Sequence, residues 1–280
     1  MGLGTALITP FKADKSVDYE ALARLLDTQL TGSVDYIVVL GTTGEAATMT
    51  EDEKREVRTF IRKYVNGRLP LVLGVGGNNT AAVCETLKTI DLTGFEAILS
   101  VCPYYNKPNQ EGLYQHFCAV AEASPIPVIL YNVPGRTGVN LMPETVMRIY
   151  DAHPDKIAGI KEASGNVEQI KHLIDLAKDK LLVISGDDGI ACEIMEAGGA
   201  GLISVASNAF PEDFYAIVHK KDQAKQAQYD KMVKLLFKEG NPIGIKAVLA
   251  QKGIIQNYLR LPLVPASEEL QEEIKKEMAK

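Results

Sequence analysis

Short apolar, β-branched runs alternate with amphipathic stretches along most of the chain. The runs fall at Thr5–Ile8, Tyr36–Leu40, Leu71–Val75, Ala97–Val101, Pro127–Tyr131, Ile157–Lys161, Leu182–Ser185 and Gly201–Val205. They are close to continuously apolar, as strands covered on both faces must be. They recur roughly every 25 to 35 residues with helical patterns between them, the spacing of βα units in a parallel sheet. A doubly wound open sheet would use the same units, but a count of eight favours closure into a (β/α)8 barrel, the TIM fold. Helix starts are marked by Thr50 with Glu53 three residues on, a capping box whose helix ends at Asn66-Gly67, and by Pro143 and Pro211 at first helical positions. Beyond about Lys220 the pattern is helical only, over Asp222–Glu239, Pro242–Gln251 and Ser267–Lys280. The expectation is a catalytic barrel over residues 1–220 and a small C-terminal helical appendage over 221–280, packed on it.

Composition narrows the function classes. The chain has 280 residues, 46% hydrophobic and 24% charged, with a net charge of −6. This is enough apolar material for one large core, and an acidic balance without basic runs argues against a nucleic-acid partner. The apolar stretches are strand-sized, too short to span a bilayer. The start Met1-Gly2-Leu3-Gly4 lacks the basic and apolar regions of a secretory signal. Cys84, Cys102, Cys118 and Cys192 are scattered and form no C-x-x-C pair, which suits reduced thiols in a cytoplasmic protein.

In a barrel of this kind chemistry collects where strands end. Gly41-Thr42-Thr43-Gly44-Glu45 follows the second strand; it suits an anion cradle of backbone N–H groups, and equally an ordinary connection to the next helix. Pro103-Tyr104-Tyr105-Asn106-Lys107-Pro108 follows the fourth, a stiff loop that either presents a phenol or simply packs. Tyr131 at the tip of the fifth can move protons, and Arg136 in the loop beyond can grip a carboxylate or lie solvated. Lys161 ends the sixth. A free lysine amine has a pKa of ~10.4, so only about one in 2,500 is neutral at pH 7, and burial is what turns such an amine into a nucleophile. The alternative is a lysine snorkelling to water. Asp187-Asp188 after the seventh strand reads as a helix cap rather than a metal pair, with no histidine near in sequence. The four histidines lack zinc spacing, no phosphate loop or G-x-S-x-G elbow occurs, and Gly74-Val75-Gly76-Gly77-Asn78-Asn79 departs from a dinucleotide fingerprint.

The order of these motifs resembles the dihydrodipicolinate synthase/N-acetylneuraminate lyase family of pyruvate aldolases. Gly41-Thr42-Thr43-Gly44-Glu45 with Glu53 is similar to its first signature, and Tyr131-Asn132-Val133-Pro134 with Gly159-Ile160-Lys161-Glu162-Ala163 to its second. The likeness continues through the tyrosine loop, Ser185-Gly186-Asp187-Asp188 and Leu259-Arg260-Leu261-Pro262. The resemblance implies an imine between Lys161 and pyruvate, with Thr42 and Thr43 holding the carboxylate. It implies Tyr131 as acid/base, and a hydroxyl relay of Tyr131, Thr43 and Tyr105, the last reaching a neighbouring subunit's site. Gly186 and the Ile203 carbonyl would complete substrate binding. No cofactor and no metal are implied, because the iminium is itself the electron sink.

The family shares pyruvate and differs in the aldehyde. An arginine right after the Asn-x-Pro-x turn belongs to its synthase pattern, and Arg136 fits. The implied reaction is condensation of pyruvate with aspartate 4-semialdehyde to 4-hydroxy-tetrahydrodipicolinate, entering the diaminopimelate route to lysine. The alternative is an N-acetylneuraminate lyase or 2-keto-3-deoxy sugar acid aldolase. A homotetramer built as a dimer of dimers is also implied. Where many members bind lysine as an inhibitor, this chain departs, with Ala46, Glu51, Lys54 and Ala82; the expectation is weak lysine inhibition.

Overall fold

The structure, a computed structural model, describes residues 1–280. Eight parallel strands close into a barrel in sequence order: β1 (Gly2–Ala6), β2 (Tyr36–Val39), β3 (Leu71–Gly74), β4 (Ala97–Val101), β5 (Val128–Asn132), β6 (Ile157–Glu162), β7 (Leu182–Ser185) and β8 (Gly201–Ser204). Each expected run overlaps a strand, and the bounds of β4 and β7 are as expected. β1 lies earlier than the expected Thr5–Ile8. Gly4 lies against the Tyr36 ring, and a Cβ there would come within 2.2 Å of ring carbons, so the glycine is what lets the strand pair. At the other end the Ile8 N–H leaves the ladder and donates to Asn208 Oδ1 at 3.1 Å.

By compactness the chain groups into Leu71–Ile203 and, separately, Gly2–Pro70 with Ser204–Lys280. In the first unit β3 to β7 are backed by the helices Thr80–Thr89, Gln110–Ala123, Pro143–Ala152 and Val167–Ala177. These are amphipathic: Gln110–Ala123 buries Leu113, Phe117, Val120 and Ala121, a spacing of three to four that defines one face. Register sets which strand residues share a face. Val101, Tyr131, Lys161 and Ile184 are partners across β4 to β7, so they point the same way and their chain neighbours point to the other side.

In the second unit the capping box is present, with Thr50 and Glu53 bonded reciprocally at 2.9 and 3.2 Å, and Asn66 closes that helix in the left-handed region. The helices Gln223–Phe237, Ile243–Gln251 and Glu268–Met278 occupy the three expected C-terminal stretches. Ile243–Gln251 is apolar almost all round and buried from Ile243 to Leu249, with Lys246 the one charge inside it. No helix is long and apolar enough to cross a membrane.

Candidate active site

Lys161 and Tyr131 are register partners at the ends of β6 and β5. The next residues on those strands turn outward, Asn132 donating to Glu162 and Glu162 accepting from Gln169 of an outer helix, so Tyr131 and Lys161 face the barrel axis. Lys161 is 6% exposed and its Nζ stands 4.5 Å from the centroid of the Tyr131 ring. An ammonium over an aromatic face is stabilised by the ring quadrupole, and an electron-rich ring beside a buried amine offsets part of its desolvation. Gly186 makes the space: a Cβ there would fall 2.9 Å from Lys161 Cε and 2.6 Å from Ala163 Cβ. Ile203, on β8, is fully buried.

The loops beyond β4 and β5 carry Tyr105 and Arg136. Pro134–Thr137 is one helical turn, begun by the proline, with Arg136 exposed on it. The Tyr105 N–H donates to Thr137 O at 3.3 Å, and Tyr105 adopts φ 74°, a strained left-handed position for an aromatic residue. Its ring is 89% exposed. The structure therefore brings Lys161, Tyr131 and Gly186 together, joins the Tyr105 and Arg136 loops, and leaves the Tyr105 ring exposed. Asp187 Oδ1 accepts the Gly189 N–H at 2.8 Å, the capping role expected of it. No three His, Cys, Asp or Glu side chains gather to hold a metal ion.

In the second unit Thr42–Gly44 forms a tight 3₁₀ turn after β2, flanked by Leu40 (φ 56°) and Glu45 (φ 54°). Thr42 is exposed and Thr43 buried, and Thr43 Oγ1 accepts a hydrogen bond from Asn241 Nδ2 at 2.9 Å. The first N–H groups of such a turn have no partner within it and are available to an anion. Glu45 turns inward and pairs with the fully buried Lys246, while the Arg260 N–H donates to its Oε2 at 3.1 Å. Burial pushes the Lys246 amine down to about 8, while the Glu45 carboxylate opposes that shift. Arg260 in turn donates to Glu53 Oε2 at 2.8 Å and holds that carboxyl down at about 2. Asn241, Lys246 and Arg260 thus fix the turn from behind.

Three polar residues here hold roles that the motifs alone do not assign. Asn132 and Glu162 sit inside apolar strands, and Asn241 in a short connection before Pro242. For Asn132 and Glu162 the usable signal is a polar residue closing a buried run; Asn241 carries none.

The dihydrodipicolinate synthetase family matches residues 1–280. A relative from Parabacteroides distasonis, called 4-hydroxy-tetrahydrodipicolinate synthase, is 51% identical over 271 residues, covering 94% of this chain and 91% of its own. Among solved structures, one of a chloride-inhibited dihydrodipicolinate synthase from Acinetobacter baumannii complexed with pyruvate superposes with a TM-score of 0.95 at 40% identity, covering 99% of this chain and 97% of that one. A structure described as the first monomeric dihydrodipicolinate synthase variant gives a TM-score of 0.95 at 40% identity, covering 99% and 95%.

Proposed function

The chain belongs to the dihydrodipicolinate synthetase family, and from that premise we propose that it is a lyase condensing pyruvate with L-aspartate 4-semialdehyde to 4-hydroxy-tetrahydrodipicolinate, the entry to lysine synthesis through diaminopimelate. The observation that carries the reading is the buried Lys161 amine, 4.5 Å from the Tyr131 ring centroid, at the end of a barrel strand.

Lys161 adds to the keto carbon of pyruvate, water leaves, and a protonated imine results. The iminium draws electrons from the methyl carbon, which loses a proton and leaves a nucleophilic enamine. The enamine carbon attacks the aldehyde of the second substrate, forming the new C–C bond. The substrate's own amine then attacks the imine carbon, closing the ring and releasing Lys161. Tyr131 serves as acid and base beside the amine. Thr42 and Thr43 receive the pyruvate carboxylate through backbone N–H groups. Asn241 gives an N–H to Thr43 Oγ1, so that hydroxyl's own proton is turned to another acceptor, either the carboxylate or the relay through Tyr131 and Tyr105. Gly186 and the Ile203 carbonyl border the substrate, and Arg136 takes the carboxylate of the semialdehyde through its planar fork.

A phenol as exposed as that of Tyr105 is free to enter the site of a second copy. The reading therefore includes a dimer as the active unit and a dimer of dimers as the assembly. It also includes a cytoplasmic location, which four cysteines outside any disulfide support.

Borohydride reduction with pyruvate, followed by mass spectrometry, tests the central step. A mass gain on Lys161 is expected, and its absence would overturn the mechanism. Supplying pyruvate with each aldehyde tests the second substrate: turnover only with a sugar aldehyde would overturn the assignment to aspartate 4-semialdehyde.

A further inference from the structure

Both ends of the Arg136 loop are tied to a buried carboxylate that takes no part in the steps above. Asn132 closes the loop, its Oδ1 accepting the Leu141 N–H at 2.9 Å and its Nδ2 donating to Asn140 Oδ1 at 2.7 Å. Glu162 aims that amide: its two oxygens accept from Asn132 Nδ2 at 2.9 and 3.2 Å. Glu162 also accepts the Ser164 N–H at 2.8 Å and Gln169 Nε2 at 3.5 Å, and Gln169 exchanges bonds with Asn140 at 2.7 and 3.1 Å.

Every one of these neighbours gives Glu162 a hydrogen and none takes one. A carboxylate suits the position; a carboxamide of the same shape would bring an NH₂ against the Asn132 or Gln169 donors. A buried donor left without an acceptor is costly, and Asn132 could relieve it only by turning its amide over, which withdraws Oδ1 from Leu141. The loop would then lose its closure. Glu162 directly follows Lys161 and points to the opposite side of β6. One strand end therefore sets the amine on the inside and anchors the Arg136 loop on the outside.

We propose that Glu162 is a positioning residue for the second substrate: through Asn132 it fixes how far the Arg136 guanidinium stands from the Lys161 amine. It thereby sets the aldehyde-to-carboxylate length that the enzyme accepts. This rests on the assignment of Arg136 to the semialdehyde carboxylate.

The test is Glu162→Gln, in steady-state kinetics with both substrates and in borohydride trapping over a range of pyruvate concentrations. The KM for aspartate 4-semialdehyde should rise about tenfold or more, while half-maximal trapping by pyruvate moves less than about twofold. An unchanged semialdehyde KM, or both constants shifting together as general loosening would make them, overturns the proposal. If that variant does not fold, Asn140→Ala cuts the outer link and keeps the Glu162–Asn132 pair; it should show the same split with a smaller rise, and no split overturns the proposal. Arg136→Ala is measured alongside. A wild-type semialdehyde KM there removes the assignment of Arg136 and this inference with it; a raised KM there with no change in Glu162→Gln removes this inference alone.

Discussion

Lys161 Nζ lies 4.5 Å from the centroid of the Tyr131 ring, and the two residues are register partners on adjacent strands. Two backbone ladders therefore hold the amine and the phenol side by side, with no loop between them. The amine's stem fits because Gly186 has no side chain. Gly186→Ala should displace Lys161 Cε, since the new Cβ would stand only 2.9 Å from it. A misplacement of about 1 Å at a reacting group costs about 10²-fold in rate. The expected outcome is kcat down by about that factor and slower borohydride trapping, with a stability loss of about 1–3 kcal/mol from overpacking. Trapping at the wild-type rate would show that the amine does not need this space.

Much of this arrangement is legible in the sequence, and the reasons are physical. Parallel strands buried on both faces announce themselves as apolar runs, and a lysine closing one of them stands out. Thr50 and Glu53 predict their helix start because a capping box is local. β1 was displaced because Gly2 and Gly4 look like punctuation, whereas Gly4 is the space into which the Tyr36 ring fits. The hydrogen bond between Asn241 and Thr43 spans 198 residues, and no periodicity carries such information. The same holds for Glu45 and Lys246, which lie far apart along the chain.

That last pair yields a sharp prediction. Lys246 is fully buried and its partner Glu45 nearly so. Removing one member leaves the other charge unpaired in the interior, a loss of about 3–5 kcal/mol, whereas removing both is far cheaper. Lys246→Met should therefore destabilise severely, and Glu45→Gln combined with Lys246→Met should recover most of the loss in urea unfolding. Additive losses in the double variant would mean that the two groups are not coupled.

The Glu53–Arg260 pair predicts behaviour in acid. Arg260 donates to Glu53, which lowers that carboxyl from an ordinary 4.5 to about 2. A depressed folded-state pKa adds stability above the unfolded value and forfeits it as the pH falls through the folded one. The contribution should be present at neutral pH and disappear between about pH 4.5 and 2. Glu53→Gln keeps the capping box and removes the charge, so it isolates the pair. Because both side chains are partly exposed, the neutral-pH cost should be only about 1 kcal/mol. The stability gap between wild type and variant should close on acidification; a gap constant from pH 7 to 2.5 would exclude the pair as its source.

We expect weak lysine sensitivity from the charges at the helix Glu51–Val65 and at Ala82. Lys54 pairs with Glu51 at 2.7 Å on its first turn, and Ala82 stands exposed on the helix Thr80–Thr89. Lysine-inhibited members of the family carry histidine and glutamate at the places of Lys54 and Ala82, as the motif likeness implies. The positive charge added at Lys54 is offset by Glu51, whereas the carboxylate deleted at Ala82 has no replacement, and that loss is unfavourable to a ligand that brings two ammonium groups. We expect half-inhibition to require well above about 1 mM lysine, a binding free energy weaker than about −4.1 kcal/mol. Restoring the charges with Lys54→His and Ala82→Glu together should lower that concentration while leaving the KM for pyruvate unchanged. Inhibition of the wild-type enzyme at sub-millimolar lysine would show that these two charges do not govern the response.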